Sequence, residues 1–240
     1  MNGREVWRSR HLGAEVEVRS WGHYGAPVLL FPTAGGAARD VESFGLVDAV
    51  APLLAAGRIK LYCCDDLAGR AWVHEEGDIR HRSWKQNAFD RFVADEMVPA
   101  IFQDCGGRHS IVAAGASLGA FNALASLCRH PDLFRAALCM SGTFNLEPLL
   151  EGSWNDDFYF ASPLHFLPSL GGADLERLRR RFVLLAYGGG RFEHPDFSWR
   201  MAELLGSKGI PNRVDPWGGE WHHDWSTWQR MLPAYLEQLC

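Results

Sequence analysis

Ser117 sits in the run Gly115-Ala116-Ser117-Leu118-Gly119, directly after the apolar stretch Ile111 to Ala114. That Gly-x-Ser-x-Gly spacing suits a nucleophile elbow, a strand-to-helix turn so tight that bulk on either side of the serine would strike the neighbouring strand and helix. A serine hydroxyl is a poor nucleophile at neutral pH. To attack a carbonyl it needs a base to take its proton, an acid to orient that base, and N–H donors for the oxyanion that develops. The plain alternative for these residues is a glycine-rich turn with a helix-capping serine. What separates the two is whether the other parts occur in the order the chemistry demands.

They do. The amide of Leu118, at the start of the next helix, points into the same space as the hydroxyl. The loop Phe31-Pro32-Thr33-Ala34-Gly35-Gly36-Ala37 follows the first buried strand, where a second oxyanion donor is expected. Ala34 is the expected amide, with Thr33 beside it as a candidate for the pocket wall. The base must come from late in the chain, and Trp217 to Trp228 offers His222 and His223, between which chemistry alone does not choose. The acid should follow the strand Phe182 to Ala186, in the loop Tyr187 to Phe197, which holds Glu193 and Asp196. Glu193 is preferred because it lies nearer the strand end. Asp196 reads equally well as the N-cap of a helix beginning near Phe197.

The elements that must position these groups follow from periodicity. Short apolar runs at Pro27–Phe31, Ile59–Cys63, Ile111–Ala114, Ala136–Met140 and Phe182–Ala186 predict strands of a parallel sheet covered on both faces. Glu15–Arg19 alternates charge with valine and predicts a half-exposed edge strand, paired antiparallel with Val6–His11. Arg213–Asp215 is the last strand. Three- and four-residue apolar spacing predicts helices over Val41–Ala56, Trp84–Gln103, Leu118–Arg129, Phe197–Lys208 and Ser226–Leu239. The fold class is therefore α/β, a mostly parallel sheet with an antiparallel N-terminal edge and helices on both faces. Residues 1–240 are expected to form one domain. Residues 141–170, rich in aromatics and prolines, interrupt the alternation as a lid-like insertion. Trp154, Phe158, Tyr159 and Phe160 within it are candidates for a substrate pocket, with packing against the sheet the competing role.

Composition narrows the function classes. The formal charge of -5 comes with no lysine or arginine run that could track a phosphate backbone, so nucleic acid is not an expected partner. No apolar run approaches membrane-spanning length, and the charged stretch MNGREVWRSRHLG does not read as a secretory signal. The six cysteines, at 63, 64, 105, 128, 139 and 240, form neither a CxxC pair nor a disulfide framework; reduced thiols in a cytoplasmic protein are expected. Asp65-Asp66 has no histidine or cysteine cluster at ligand spacing and reads as a solvated turn. No metal or cofactor is expected, because a serine mechanism needs none. The expected partner is a small-molecule ester, and the sequence leaves self-association open.

Taken together the residues resemble a known family, the esterase D-like branch of the α/β hydrolases, which also holds formylglutathione hydrolases, ferulate esterases and mycolyltransferases. The resemblance runs from Val28 to Leu239. It rests on GASLG at 115–119, WNDDFYFASPLHFLPSL at 154–170, SKGIP at 207–211 and HDWSTW at 223–228. It implies the α/β-hydrolase fold and ester cleavage through an acyl-enzyme. It also implies His223 as the base, since the family's histidine precedes two spaced tryptophans, matched here by Trp225 and Trp228, with His222 an extra residue. The acid departs from the pattern: counting back from SKGIP puts Phe192 at the family's aspartate, with Glu193, one methylene longer, as its neighbour. A transferase of the same fold, or a non-catalytic protein that binds a ligand or partner, are the alternative readings.

Overall fold

The computed structural model describes residues 3–240. Eight strands form one sheet: β1 (Arg4–Arg8), β2 (Glu15–Trp21), β3 (Ala26–Phe31), β4 (Ile59–Cys64), β5 (Ile111–Ala116), β6 (Phe134–Met140), β7 (Phe182–Tyr187) and β8 (Asn212–Pro216). Their spatial order is β1-β2-β4-β3-β5-β6-β7-β8. The β1–β2 and β2–β4 pairs are antiparallel and all others parallel, so the antiparallel part lies at the N-terminal edge.

The central strands are buried along nearly their whole length because both faces are covered, and their side chains divide by the period of two. Leu29, Phe31, Tyr62, Cys64 and Ala113 join one core, where the helix Leu118–Arg129 supplies Ala120, Ala123, Leu124 and Leu127. Val28, Leu30, Leu61, Cys63, Val112 and Ala114 join the other, where the helix Trp225–Leu239 supplies Trp228, Met231, Leu232, Tyr235 and Leu236. Cys63 and Cys64 thus face opposite ways. All six cysteines are free, and no helix among the described residues is long and apolar enough to cross a membrane.

Several elements differ from the sequence expectation. Val41–Ala56 is not one helix but three short ones, Asp40–Ser43, Leu46–Ala49 and Ala51–Ala55. Gly45, in the left-handed region at φ 74°, breaks the first from the second, and Pro52 opens the third. The first strand is Arg4–Arg8 rather than Val6–His11. The helix expected from Trp84 begins at Ile79, where the Asp78 carboxylate caps it by accepting from His81 N at 2.8 Å. The helix placed from Phe197 starts two residues earlier, at Pro195, so its cap is His194 and not Asp196. Residues 141–170 contain the helices Asp156–Ala161 and Pro163–Phe166. Polar bonds tie them to the flank of the molecule: Asn87 Nδ2 donates to Asp157 Oδ1 at 2.8 Å, and Asn155 Nδ2 to Ser83 Oγ at 3.1 Å.

Candidate active site

The carboxyl ends of β3, β5, β6, β7 and β8 gather the loops that hold the candidate side chains. Ser117, between β5 and its helix, has φ 54° and ψ −119°, a conformation that L-residues adopt only where the surroundings enforce it. Its flanking glycines are dictated by contact. A Cβ on Gly115 would lie 2.2 Å from the carbonyl oxygen of Gly119, and one on Gly119 would lie 2.4 Å from that of Phe31. The second contact seats the loop after β3 directly on the serine's helix.

That loop is tied down by two carboxylates and one backbone amide. Asp40 Oδ2 accepts from Ala37 N and Asp65 Oδ1 from Ala38 N, both at 2.8 Å, while Asp66 N donates to Gly36 O at 3.0 Å. Ala34 is exposed at the tip with φ 52°, and Thr33 is half-buried beside it. As the first residue of its helix, Leu118 has an amide with no intrahelical acceptor. The solvated turn expected at Asp65-Asp66 is not what the structure has. Asp66 is fully buried and accepts from Gly69 N at 2.8 Å and Asn122 Nδ2 at 3.0 Å. Burial pushes its carboxyl up to about 6. Asn122 in turn accepts from Gln86 Nε2, and Gln86 from Trp72 Nε1, so a buried polar chain runs beneath the loop and the serine's helix.

His223 and Glu193 meet across the loops after β7 and β8. His223 Nδ1 lies 3.9 Å from Glu193 Oε2, with the carboxylate side chain only 1% exposed and the imidazole 22%. The backbone is clamped from both histidines: His223 N donates to Arg191 O, and Arg191 N donates to His222 Nδ1, each at 3.0 Å. That contact makes His222 Nδ1 an acceptor and gives the ring a place in holding the loop. Asp196 is exposed in the first turn of its helix. Ser117 Oγ is not hydrogen-bonded to His223; its partner is Thr143 Oγ1 at 3.5 Å, and Thr143 lines one small cavity with His223, Ser141, Tyr187 and Phe197. Catalytic hydrogen bonds are often long until substrate closes the site.

Two residues of this cluster escaped the sequence reading. Ser141, 4% exposed at the end of β6, donates from Oγ to Glu193 Oε1 at 2.6 Å and accepts from Trp228 Nε1 at 3.0 Å. Thr143 also donates its amide to Ser117 O at 3.1 Å. The sequence signal was the polar Ser-Gly-Thr directly after an apolar strand, the position where strand ends carry function in such sheets.

The aromatic candidates fall elsewhere. Phe158 is 1% exposed in a core cluster with Trp72, Leu118, Phe121 and Leu150, so it is packing. Tyr159 and Phe160 wall a cavity with Cys128, Arg129 and Pro131, at the far end of the helix from Ser117. Twelve residues of helix put that end about 18 Å away. Trp154 stands half-exposed with its ring against Phe158 and His165.

With this geometry in view, comparison with known proteins adds the family. The family model described as Putative esterase matches residues 66–239, the part that carries Ser117, Glu193 and His223. The chain belongs to this family. Membership supports ester hydrolysis as its activity. No curated protein matches the chain. Among solved structures it is similar to a ferulic acid esterase (16% identity, TM-score 0.73, covering 99% of this chain and 98% of that one). It is likewise similar to an S-formylglutathione hydrolase from Agrobacterium tumefaciens (15%, 0.73, 98% and 92%) and to FphF, a fluorophosphonate-binding serine hydrolase of Staphylococcus aureus (14%, 0.73, 98% and 96%). At these identities the likeness establishes the α/β-hydrolase fold, to which this esterase-family chain conforms in strand order and antiparallel edge.

Proposed function

We propose that this chain is a serine esterase acting on small carboxylic esters through an acyl-enzyme. The observation that carries the reading is the buried Glu193 carboxylate against His223 Nδ1, on the same strand ends as a serine held in a strained elbow. Ser117 Oγ attacks the ester carbonyl as His223 Nε2 takes its proton; the Leu118 and Ala34 amides receive the oxyanion. Collapse of the tetrahedral intermediate breaks the carbon–oxygen bond of the leaving alkoxide, which receives the proton from His223. Water, deprotonated by the same imidazole, attacks the acyl-serine, and the second collapse releases the carboxylate and restores Ser117. Glu193 fixes the imidazole tautomer with Nδ1–H toward itself and stabilises the transient imidazolium. Its second oxygen is held by Ser141. A reducing, cytoplasmic setting fits the six unpaired thiols.

The experiment is turnover of a chromogenic ester together with fluorophosphonate labelling. Native protein is expected to label at Ser117 and to turn over ester, with Ser117→Ala and His223→Ala each lowering kcat by about 10³-fold or more. Activity within a few-fold of the parent in either variant removes the assigned roles. Absence of labelling on native protein favours the non-catalytic binding protein, and product formed on an added alcohol in preference to water favours the transferase.

A further inference from the structure

Phe192 lies between the two residues whose backbone and side chain hold His223, and neither burial nor backbone preference accounts for its type. Gly190 and Glu193 close a turn through Glu193 N to Gly190 O at 3.4 Å, with Phe192 third in it at φ 63°. A turn with positive φ at that place favours glycine or asparagine. Phenylalanine there is disfavoured, because its Cβ crowds the following carbonyl oxygen. The ring recovers none of this by packing, because Phe192 is 79% exposed, the most exposed large apolar residue among those described. Nor is the turn loose: Arg191 is bonded to His222 through its amide and to His223 through its carbonyl. The left-handed residue turns Glu193 inward and Phe192 outward. An aromatic ring is thus held out in water by the loop that is bonded to His223 and carries Glu193.

His223 has aromatic neighbours of its own. Trp228 meets the imidazole ring at 5.2 Å, Trp225 meets Trp228 at 5.2 Å, and the half-exposed Phe44 stacks on Trp225 at 4.5 Å. An aromatic row therefore runs from the imidazole through the buried Trp228 to Phe44 at the surface.

We infer that Phe192 is the lip of the esterase site and determines its specificity, closing over the apolar part of esters that bear a long acyl chain or an aryl group. The inference rests on the esterase reading above and deepens it by naming the substrate class. Burial of the ring against such a group is the return for the strained turn, and it is made only when substrate is bound.

The test is steady-state turnover of ethyl acetate, ethyl hexanoate and phenyl acetate by native protein, Phe192→Gly and Phe192→Tyr. Glycine relieves the backbone strain and deletes only the ring, so the fold is expected to keep its melting temperature to within a few degrees. In Phe192→Gly the selectivity for ethyl hexanoate or phenyl acetate over ethyl acetate, as a ratio of kcat/KM, is expected to fall about ten-fold, with the loss in KM. Phe192→Tyr restores the ratio. Equal change on all three esters, or a loss confined to kcat, means that residue 192 acts through the turn and the acid and overturns the lip. An unchanged ratio overturns it as well. If native protein turns over none of the three and Ser117 does not label, the esterase reading itself falls, and the lip with it.

Discussion

Replacing Glu193 by glutamine isolates the charge behind His223. The change keeps the shape of the side chain and an oxygen for Ser141 Oγ, now 2.6 Å from Oε1, so the loop keeps its anchor. What is lost, on the proposed mechanism, is the attraction between the carboxylate and the imidazolium that forms as Ser117 gives up its proton. At the 3.9 Å separation of His223 Nδ1 and Glu193 Oε2, an effective dielectric near 20 makes that attraction about 4 kcal/mol. Divided by 1.36 kcal/mol per decade, this is about 10³-fold in rate. The imidazole is 22% exposed, and the screening this admits trims the expectation to about 10²–10³-fold. The loss belongs in kcat, because the charge appears only on the way to the transition state. Asp196→Asn, at an exposed position in the first turn of its helix, is expected to change kcat by less than about two-fold. The assay is ester turnover at saturating substrate, with thermal melting to establish that each variant is folded. A folded Glu193→Gln enzyme within ten-fold of native, or an Asp196→Asn enzyme more damaged than it, refutes the reasoning.

Two more outcomes follow from the buried polar groups. Ser141→Ala leaves both Glu193 Oε1 and Trp228 Nε1 without their buried partner, at a cost of about 3 kcal/mol, or roughly 6–12 °C in Tm for a chain of this size; a melt within 2 °C of native removes Ser141 from the scaffold. Burial raises the Asp66 carboxyl from 3.8 to about 6, so between roughly pH 4 and 6 the native state holds a proton that the unfolded chain has released. Its contribution to stability therefore declines as pH rises through that window, by about 3 kcal/mol in all. The difference in unfolding free energy between native protein and Asp66→Asn should shift by that amount between pH 4 and 7, in the direction of relative gain for the variant; a difference independent of pH refutes it.

Much of this site was legible because its parts depend on local order. A continuous apolar run, then Gly-x-Ser-x-Gly, then an apolar helix leaves few structures open, and the strand at Ile111 and the helix Leu118–Arg129 stand where the pattern puts them. What was not legible depends on contact between distant segments. Ser141 meets Glu193 across 52 residues, and nothing in either neighbourhood announces the other. Asp66 looked like half of a surface turn because its burial comes from Asn122 and the loop before it, elements far apart in the chain. The aromatic segment was left open between two roles for a related reason. Phe158 is apolar because it packs on Trp72 and Leu118, and sequence cannot tell an aromatic that lines a pocket from one that fills a core.

The strain in the backbone connects these observations. Six non-glycine residues among those described have positive φ, and four of them are Ala34, Ser117, Ser141 and Phe192. They follow β3, β5, β6 and β7, which are consecutive neighbours in the sheet. Each such residue costs about 1–3 kcal/mol, and such costs persist only where the surroundings over-determine them. The surroundings here do: the loop after β3 is locked by Asp40, Asp65 and Asp66, the elbow by the close approach at Gly115 and Gly119, Ser141 by Glu193 and Trp228, and Phe192 by the bonds of Arg191 to both histidines. Four strained turns at the same ends of four neighbouring strands are hard to attribute to packing alone. A site that needs a hydroxyl, an amide, a carboxylate and a substrate contact at fixed places has a reason to hold all four.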